Sequence, residues 1–170
     1  METLEVILTR RSVRAYHQQP VPAGMIEKLL AAAMQALSAG NQQPWHFIVV
    51  TDQEQIDALV AVLPRGQCLK EAPLAIAICG DLEHAKHVDF WVQDCSAATQ
   101  NLLLAAHDLG LGAVWLGIYP REERVADVSR VLGLPNAIVP LCLISIGYPA
   151  DKLERPETRY DKFRVHHNHW

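Results

Sequence analysis

Arg10-Arg11-Ser12-Val13-Arg14 sets three guanidinium groups and a hydroxyl within five residues, directly after the amphipathic segment Leu4-Glu5-Val6-Ile7-Leu8. Guanidinium groups are rigid, permanently charged donors that match phosphate oxygens in a fork, and serine adds a rotatable donor. On a loop at a helix end, such a cluster suits an anion. Alone, it reads equally well as a solvated basic turn.

A second stretch changes that reading. Ser38-Ala39-Gly40-Asn41-Gln42-Gln43-Pro44-Trp45 joins an Ala-rich helix to an apolar strand. It packs amides and a hydroxyl into a turn closed by Pro and Trp. Amides offer donors and acceptors together, which suits the edge of a planar heterocycle. The two stretches in this order resemble the nitroreductase-like family of flavoproteins. The resemblance continues at Gly110 to Tyr119 and in the C-terminal tail, so it covers nearly the whole chain.

The resemblance implies a bound FMN. It sets Arg10 and Ser12 on the phosphate, with Arg11 in the same loop, and Arg14 beside the ring end that becomes anionic on reduction. Ser38, Asn41 and Gln43 would touch the flavin, and Leu116 and Gly117 would run beside it with a backbone N–H facing the reactive nitrogen. A basic pair in the tail, Lys162 and Arg164, would complete the phosphate site, with Arg159 the alternative to Lys162. The catalytic chemistry would lie on the flavin. NAD(P)H would deliver hydride, and a small electron-poor acceptor such as a nitroaromatic or quinone would take it away. A flavin-binding or sequestering module without turnover, and a flavin-dependent dehydrogenase or dehalogenase, are the alternatives. Leu37 stands before Ser38 where many relatives have Pro, and the chain is short for the family, with little room for inserted lid helices.

Composition fits one domain, residues 1–170. Half the residues are hydrophobic and 20% are charged, with a formal net charge of −4 and a pI near 6.0. An acidic chain with local basic clusters argues against a general nucleic-acid or membrane-surface binder and for one small anionic ligand. No apolar run reaches the roughly 20 residues of a membrane span, and the first residues carry no signal-peptide pattern. The four cysteines, Cys68, Cys79, Cys95 and Cys142, form no CxxC pair and are expected reduced in a cytoplasmic protein.

Along the chain, apolar spacing predicts helices over residues 2–9, from Pro22 to about Leu37, over Gln53 to Val62 with Asp52 as N-cap, over His87 to Leu109, and over Arg121 to Leu132. Strands are expected at Trp45 to Thr51, Pro73 to Cys79, Ala113 to Ile118 and Ile138 to Ile146. The class is α/β in the broad sense (α+β), with a doubly wound parallel sheet open from pattern alone. The resemblance implies instead a mainly antiparallel sheet wrapped by helices. It also implies an intertwined homodimer, with residues 150–170 crossing to the partner subunit. The long helix is apolar on more than one face, as a helix central to the fold or packed against a second subunit would be.

Three further motifs have plainer readings. Gly110-Leu111-Gly112 follows a helix and precedes a strand, the reverse of a dinucleotide fingerprint. His166-His167-Asn168-His169 lacks a second ligand cluster, so no metal is expected there. Asp94 on the long helix reads as a polar contact at the dimer interface rather than a proton donor.

Overall fold

The computed structural model describes residues 1–64 and 66–170. Its elements are α1 (Thr3–Thr9), β1 (Tyr16–His17), α2 (Ala23–Met34), β2 (Trp45–Val50), α3 (Gln53–Val62), β3 (Leu74–Asp81), α4 (Trp91–Asp108), β4 (Gly112–Gly117), α5 (Glu122–Leu132) and β5 (Ile138–Pro149). The strands form one sheet in which every strand pair is antiparallel. β3 and β5 are central. β2 lies outside β3, while β4 and then the two-residue β1 follow one another along the far side of β5.

Helices cover both faces. Leu74, Ile76 and Ile78 of β3 point into a core shared with α2 and α4; Ala75, Ala77 and Cys79 point to the opposite core, under α3 and α5. The strand is therefore apolar at every position from Leu74 to Cys79. A continuous apolar strand is the usual mark of a doubly covered parallel sheet. Here it arises in an antiparallel one, and the doubly wound alternative is excluded by strand direction.

Local chemistry sets the helix ends. The Asp52 carboxylate accepts the Gln55 N–H at 2.9 Å, the cap of α3. α5 stops at Gly133, which takes the left-handed conformation (φ 62) while the Leu134 N–H reaches back to the Ser129 carbonyl. The long helix begins at Trp91, not at His87. Residues Val88–Phe90 make a separate 3-10 turn. The Trp91 ring lies on Gly80, where a Cβ would come within 2.4 Å of it. β5 runs three residues past the expected Ile146, because Gly147 pairs with Gly112 and Tyr148 and Pro149 pair with β1.

The apolar circumference of α4 is satisfied within the chain. α2 and α1 pack on the side away from the sheet, and among the described residues α4 exposes no large apolar side chain. Exposed apolar residues lie elsewhere, among them Leu4, Ile7 and Leu8 on α1, Leu37 after α2, Phe90 just before α4, and Tyr160, Phe163 and Trp170 in the tail. No helix among the described residues is long and apolar enough to cross a membrane.

Candidate functional site

The basic segment is stitched to the edge of the sheet. α1 ends as the Arg10 N–H bonds the Val6 carbonyl, and the chain then runs alongside β4. Ser12 bridges Ala113 in the parallel sense, and the Val13 N–H donates to the Ala113 carbonyl at 3.0 Å. Val13 is buried against Gly112, where a Cβ would come within 2.6 Å of the valine. With Val13 turned inward, Ser12 and Arg14 are left exposed on either side of it. Arg10 and Arg14 are four residues of extended chain apart, roughly 13 Å.

Arg14 borders a cavity of about 290 Å³ with Trp115, Leu116, Gly117 and Arg124. Along a strand, peptide groups alternate between the two neighbours. The Ala113 carbonyl faces away from β5, toward Val13, so Trp115 and Gly117 present their peptide groups to the same open side. The Gly117 carbonyl there accepts from Arg124 at 3.0 Å. A Cβ on Gly117 would meet nothing within 4 Å. A flat group can therefore come directly against this backbone.

Arg10 faces a second cavity, of about 250 Å³, whose other walls are α1 and the tail: Ile7, Leu8, Arg155, Pro156, Glu157, Thr158 and Arg159. Burial, and then the charge of Arg159, hold the Arg10 guanidinium below its ordinary value. Two cations press on one space, an arrangement that a bound anion would relieve. Arg155 pairs with Glu5 at 3.3 Å. Arg11 donates to the Glu154 carbonyl at 3.1 Å, fastening the tail to the loop. The cation that joins Arg10 is therefore Arg159. The structure does not bring Lys162 or Arg164 to this cavity: Arg164 pairs with Asp161 at 3.2 Å, and the Lys162 ammonium sits 5.4 Å from the centre of the Phe163 ring. Residues 150–154 run beside the loop of Arg11 to Ala15 and residues 155–159 beside α1 of their own chain, while the hydrogen bonds of residues 161–170 stay within the tail.

α1 is anchored so that Arg10 is held. The N-terminal ammonium pairs with Asp108 at 2.7 Å. The Thr9 hydroxyl donates to the Glu5 carbonyl at 2.6 Å, so it can only accept from His107 Nε2 at 2.9 Å. Burial, and then Arg10, keep the His107 imidazole below its ordinary value.

Ser38, Asn41 and Gln43 form a compact turn before β2. Gly40, Asn41 and Gln43 all have positive φ (55, 55 and 48). The Ser38 hydroxyl accepts the Gln43 N–H at 3.0 Å, and Gln43 Nε2 donates to Asn41 Oδ1 at 3.0 Å. The base of the turn is Asp94. Its carboxylate, 3% exposed, accepts the Ala39 N–H at 2.9 Å and Gln42 Nε2 at 2.6 Å. Asp94 is therefore an anchor within its own chain, not the intersubunit contact expected from the sequence. Gln42 exchanges two hydrogen bonds with the backbone of His87, at 2.7 and 3.1 Å. Sequence reasoning passed over Gln42 and Arg124. The one signal for Gln42 was a carboxylate on an apolar helix face, which must find donors when buried.

The two groups of residues occupy opposite edges of the sheet. β2 is three strand spacings from β4, about 14 Å, and neither of the two cavities described above includes a residue of the turn.

The sequence model described as the Nitroreductase family matches residues 7–63 and 60–148. A relative from Methanothermobacter thermautotrophicus, provisionally named an NADH dehydrogenase/NAD(P)H nitroreductase, is 48% identical over 172 residues, covering 100% of this chain and 88% of the relative. The crystal structure of a protein from Parabacteroides distasonis with the same provisional name superposes with a TM-score of 0.94 at 46% identity, covering 100% of this chain and 99% of the other. An FMN-dependent nitroreductase from Clostridium difficile R20291 gives a TM-score of 0.90 at 32% identity, covering 98% and 99%.

Proposed function

The chain belongs to the nitroreductase family and is an NAD(P)H-dependent oxidoreductase, and from that premise we propose that it works through bound FMN, at a site completed by a second copy of itself, on an electron-poor acceptor such as a nitroaromatic or quinone. The observation that carries the reading is the open edge of β4 at Trp115 to Gly117, bordered by Arg14.

FMN supplies the redox chemistry, taking hydride from NAD(P)H and passing electrons on. The chain's own residues bind and tune it. Arg10 and Arg159 take the phosphate, and Ser12 adds a hydroxyl between the phosphate end and the ring end. Gly117, with no side chain and a backbone on the open edge, lets the ring approach and offers it an N–H. Arg14 puts a positive charge beside the ring, where reduction develops a negative one. Lys162 and Arg164 have no role at the phosphate of their own chain in this reading.

Ser38, Asn41 and Gln43 belong to the site of the partner subunit. This follows from their place on the opposite edge of the sheet and from the exposed apolar residues of α1 and the tail. Leu4, Ile7, Leu8, Phe163 and Trp170 would be covered in such a dimer, as obligate interfaces require.

The test is a spectrum. The purified protein should carry the visible absorbance of oxidised flavin, lose it with NAD(P)H, and regain it with a nitroaromatic or quinone in the absence of oxygen. A flavin that NAD(P)H leaves oxidised would make the protein a flavin carrier. A protein that takes up no FMN would refute the reading.

A further inference from the structure

We propose that Arg124 is a second cation of the flavin site, one that holds the Gly117 carbonyl and makes the bound ring easier to reduce. The inference rests on the FMN reading above.

Arg124 is half-buried near the start of α5 and donates to the Gly117 carbonyl at 3.0 Å. Glu122, Glu123 and Asp127 line a neighbouring cavity with it, yet none forms an ion pair with it among the described residues. Asp127 is committed to Arg130 at 2.8 Å, and among the described residues Arg124 makes no ion pair. Arg14 makes none either. Two guanidinium groups without an ion pair among the described residues therefore line one cavity together with Trp115, Leu116 and Gly117 of β4.

Each group does something different. Arg14 comes from the loop alongside β4 and has no hydrogen bond to the strand. Arg124 fixes the last carbonyl of β4, at a glycine whose backbone would otherwise be the freest in the strand. That fixes the peptide from Gly117 to Ile118, whose N–H donates to the Leu141 carbonyl at 3.2 Å on the β5 side, and so closes the end of the strand beside the Gly117 N–H. The charge acts separately from the hydrogen bond. Hydride from NAD(P)H adds two electrons and one proton to a neutral ring, leaves it with a single negative charge, and converts the donor to NAD(P)⁺. A cation that meets the ring in both states stabilises the reduced one more.

Two substitutions separate charge from hydrogen bond. Arg124→Gln keeps an N–H donor and removes the charge; Arg124→Lys keeps the charge. The measurement is the two-electron reduction potential of the FMN-loaded protein, equilibrated against reference dyes. Arg124→Gln should lower the equilibrium constant for reduction roughly tenfold, about 30 mV for a two-electron couple, while Arg124→Lys stays near the parent. A Gln variant at the parent potential, or Gln and Lys variants that fall together, would overturn the inference while leaving the FMN reading intact. A parent protein that loads no FMN would overturn both.

Discussion

The two halves of the candidate site are finished to different degrees. The turn from Ser38 to Gln43 is internally satisfied. Its donors and acceptors pair with one another and with Asp94, and two non-glycine residues, Asn41 and Gln43, hold left-handed backbone that such pairing keeps in place. The basic segment is the opposite. Arg10 and Arg159 face the same space, and among the described residues Arg14 and Arg124 make no ion pair. One half is a preformed shape and the other a preformed charge. A ligand with a flat, hydrogen-bonding ring and a phosphate needs both, and one chain keeps them on opposite edges of its sheet.

The largest expected effect is on the finished half. Asp94→Ala would leave the Ala39 N–H and the Gln42 amide without their acceptor. Buried polar groups left unpaired cost about 1–3 kcal/mol each, so urea denaturation should show a loss of about 2–5 kcal/mol, together with loss of bound FMN. On the charged half, removing a guanidinium relieves repulsion in the empty site, so stability should hardly move while affinity falls. Arg10→Ala should weaken FMN binding by about 1.5–3 kcal/mol, or roughly 10- to 150-fold, in a fluorescence titration. The contrast between the halves would fail if Arg10→Ala destabilised the fold as much as Asp94→Ala.

A third substitution asks how firmly the charged half is held. Gly112→Ala would drive a methyl into Val13, 2.6 Å away. Overpacking of this kind costs about 1–3 kcal/mol. Because Val13 fixes the register of Ser12 and Arg14, FMN affinity should drop along with the melting temperature. An alanine variant with parental affinity would show that the loop is positioned by something other than this contact.

The smallest effect concerns His107, which fastens α1 behind Arg10. Burial, and then Arg10, lower its folded value, so the unfolded chain binds the proton more readily. Stability is then unaffected above the ordinary imidazole value of about 6.5 and declines as pH falls below it, until the folded value is reached. Melting curves on either side of that pH should show the decline in the parent protein and a shallower one in His107→Gln. Equal slopes would remove His107 from the anchor.

Some of this could be read from the residues and some could not. The apolar runs at β3 and β5 announce buried strands, yet their direction is invisible because both faces are covered and the runs show no alternation, Ser145 being the one polar residue within them. The start of the long helix was misread because His87 to Phe90 look helical one residue at a time; the seat for Trp91 on Gly80 is a tertiary fact. Arg10, Ser12 and Arg14 are legible because the loop is short and its motif local. The phosphate partner is not. The resemblance points to Lys162 and Arg164, with Arg159 as the alternative to Lys162, and only the path of an irregular tail past α1 puts Arg159 on the cavity that Arg10 faces. The Asp94 anchor joins segments 55 residues apart, beyond the reach of any periodicity.

The central claim is that each flavin site takes its charge from one chain and its shaped turn from the other. A mixed dimer tests it directly. One chain carries Arg10→Ala and Arg14→Ala; the other carries Asp94→Ala; each alone forms a homodimer that does not retain FMN. In the mixed dimer one site receives both defects and the other receives none. Purified through two different tags, the mixed dimer should regain one FMN per pair of chains and reduce it with NAD(P)H. A mixed dimer as empty as its parents would mean that each site is built within a single chain, and would contradict the account.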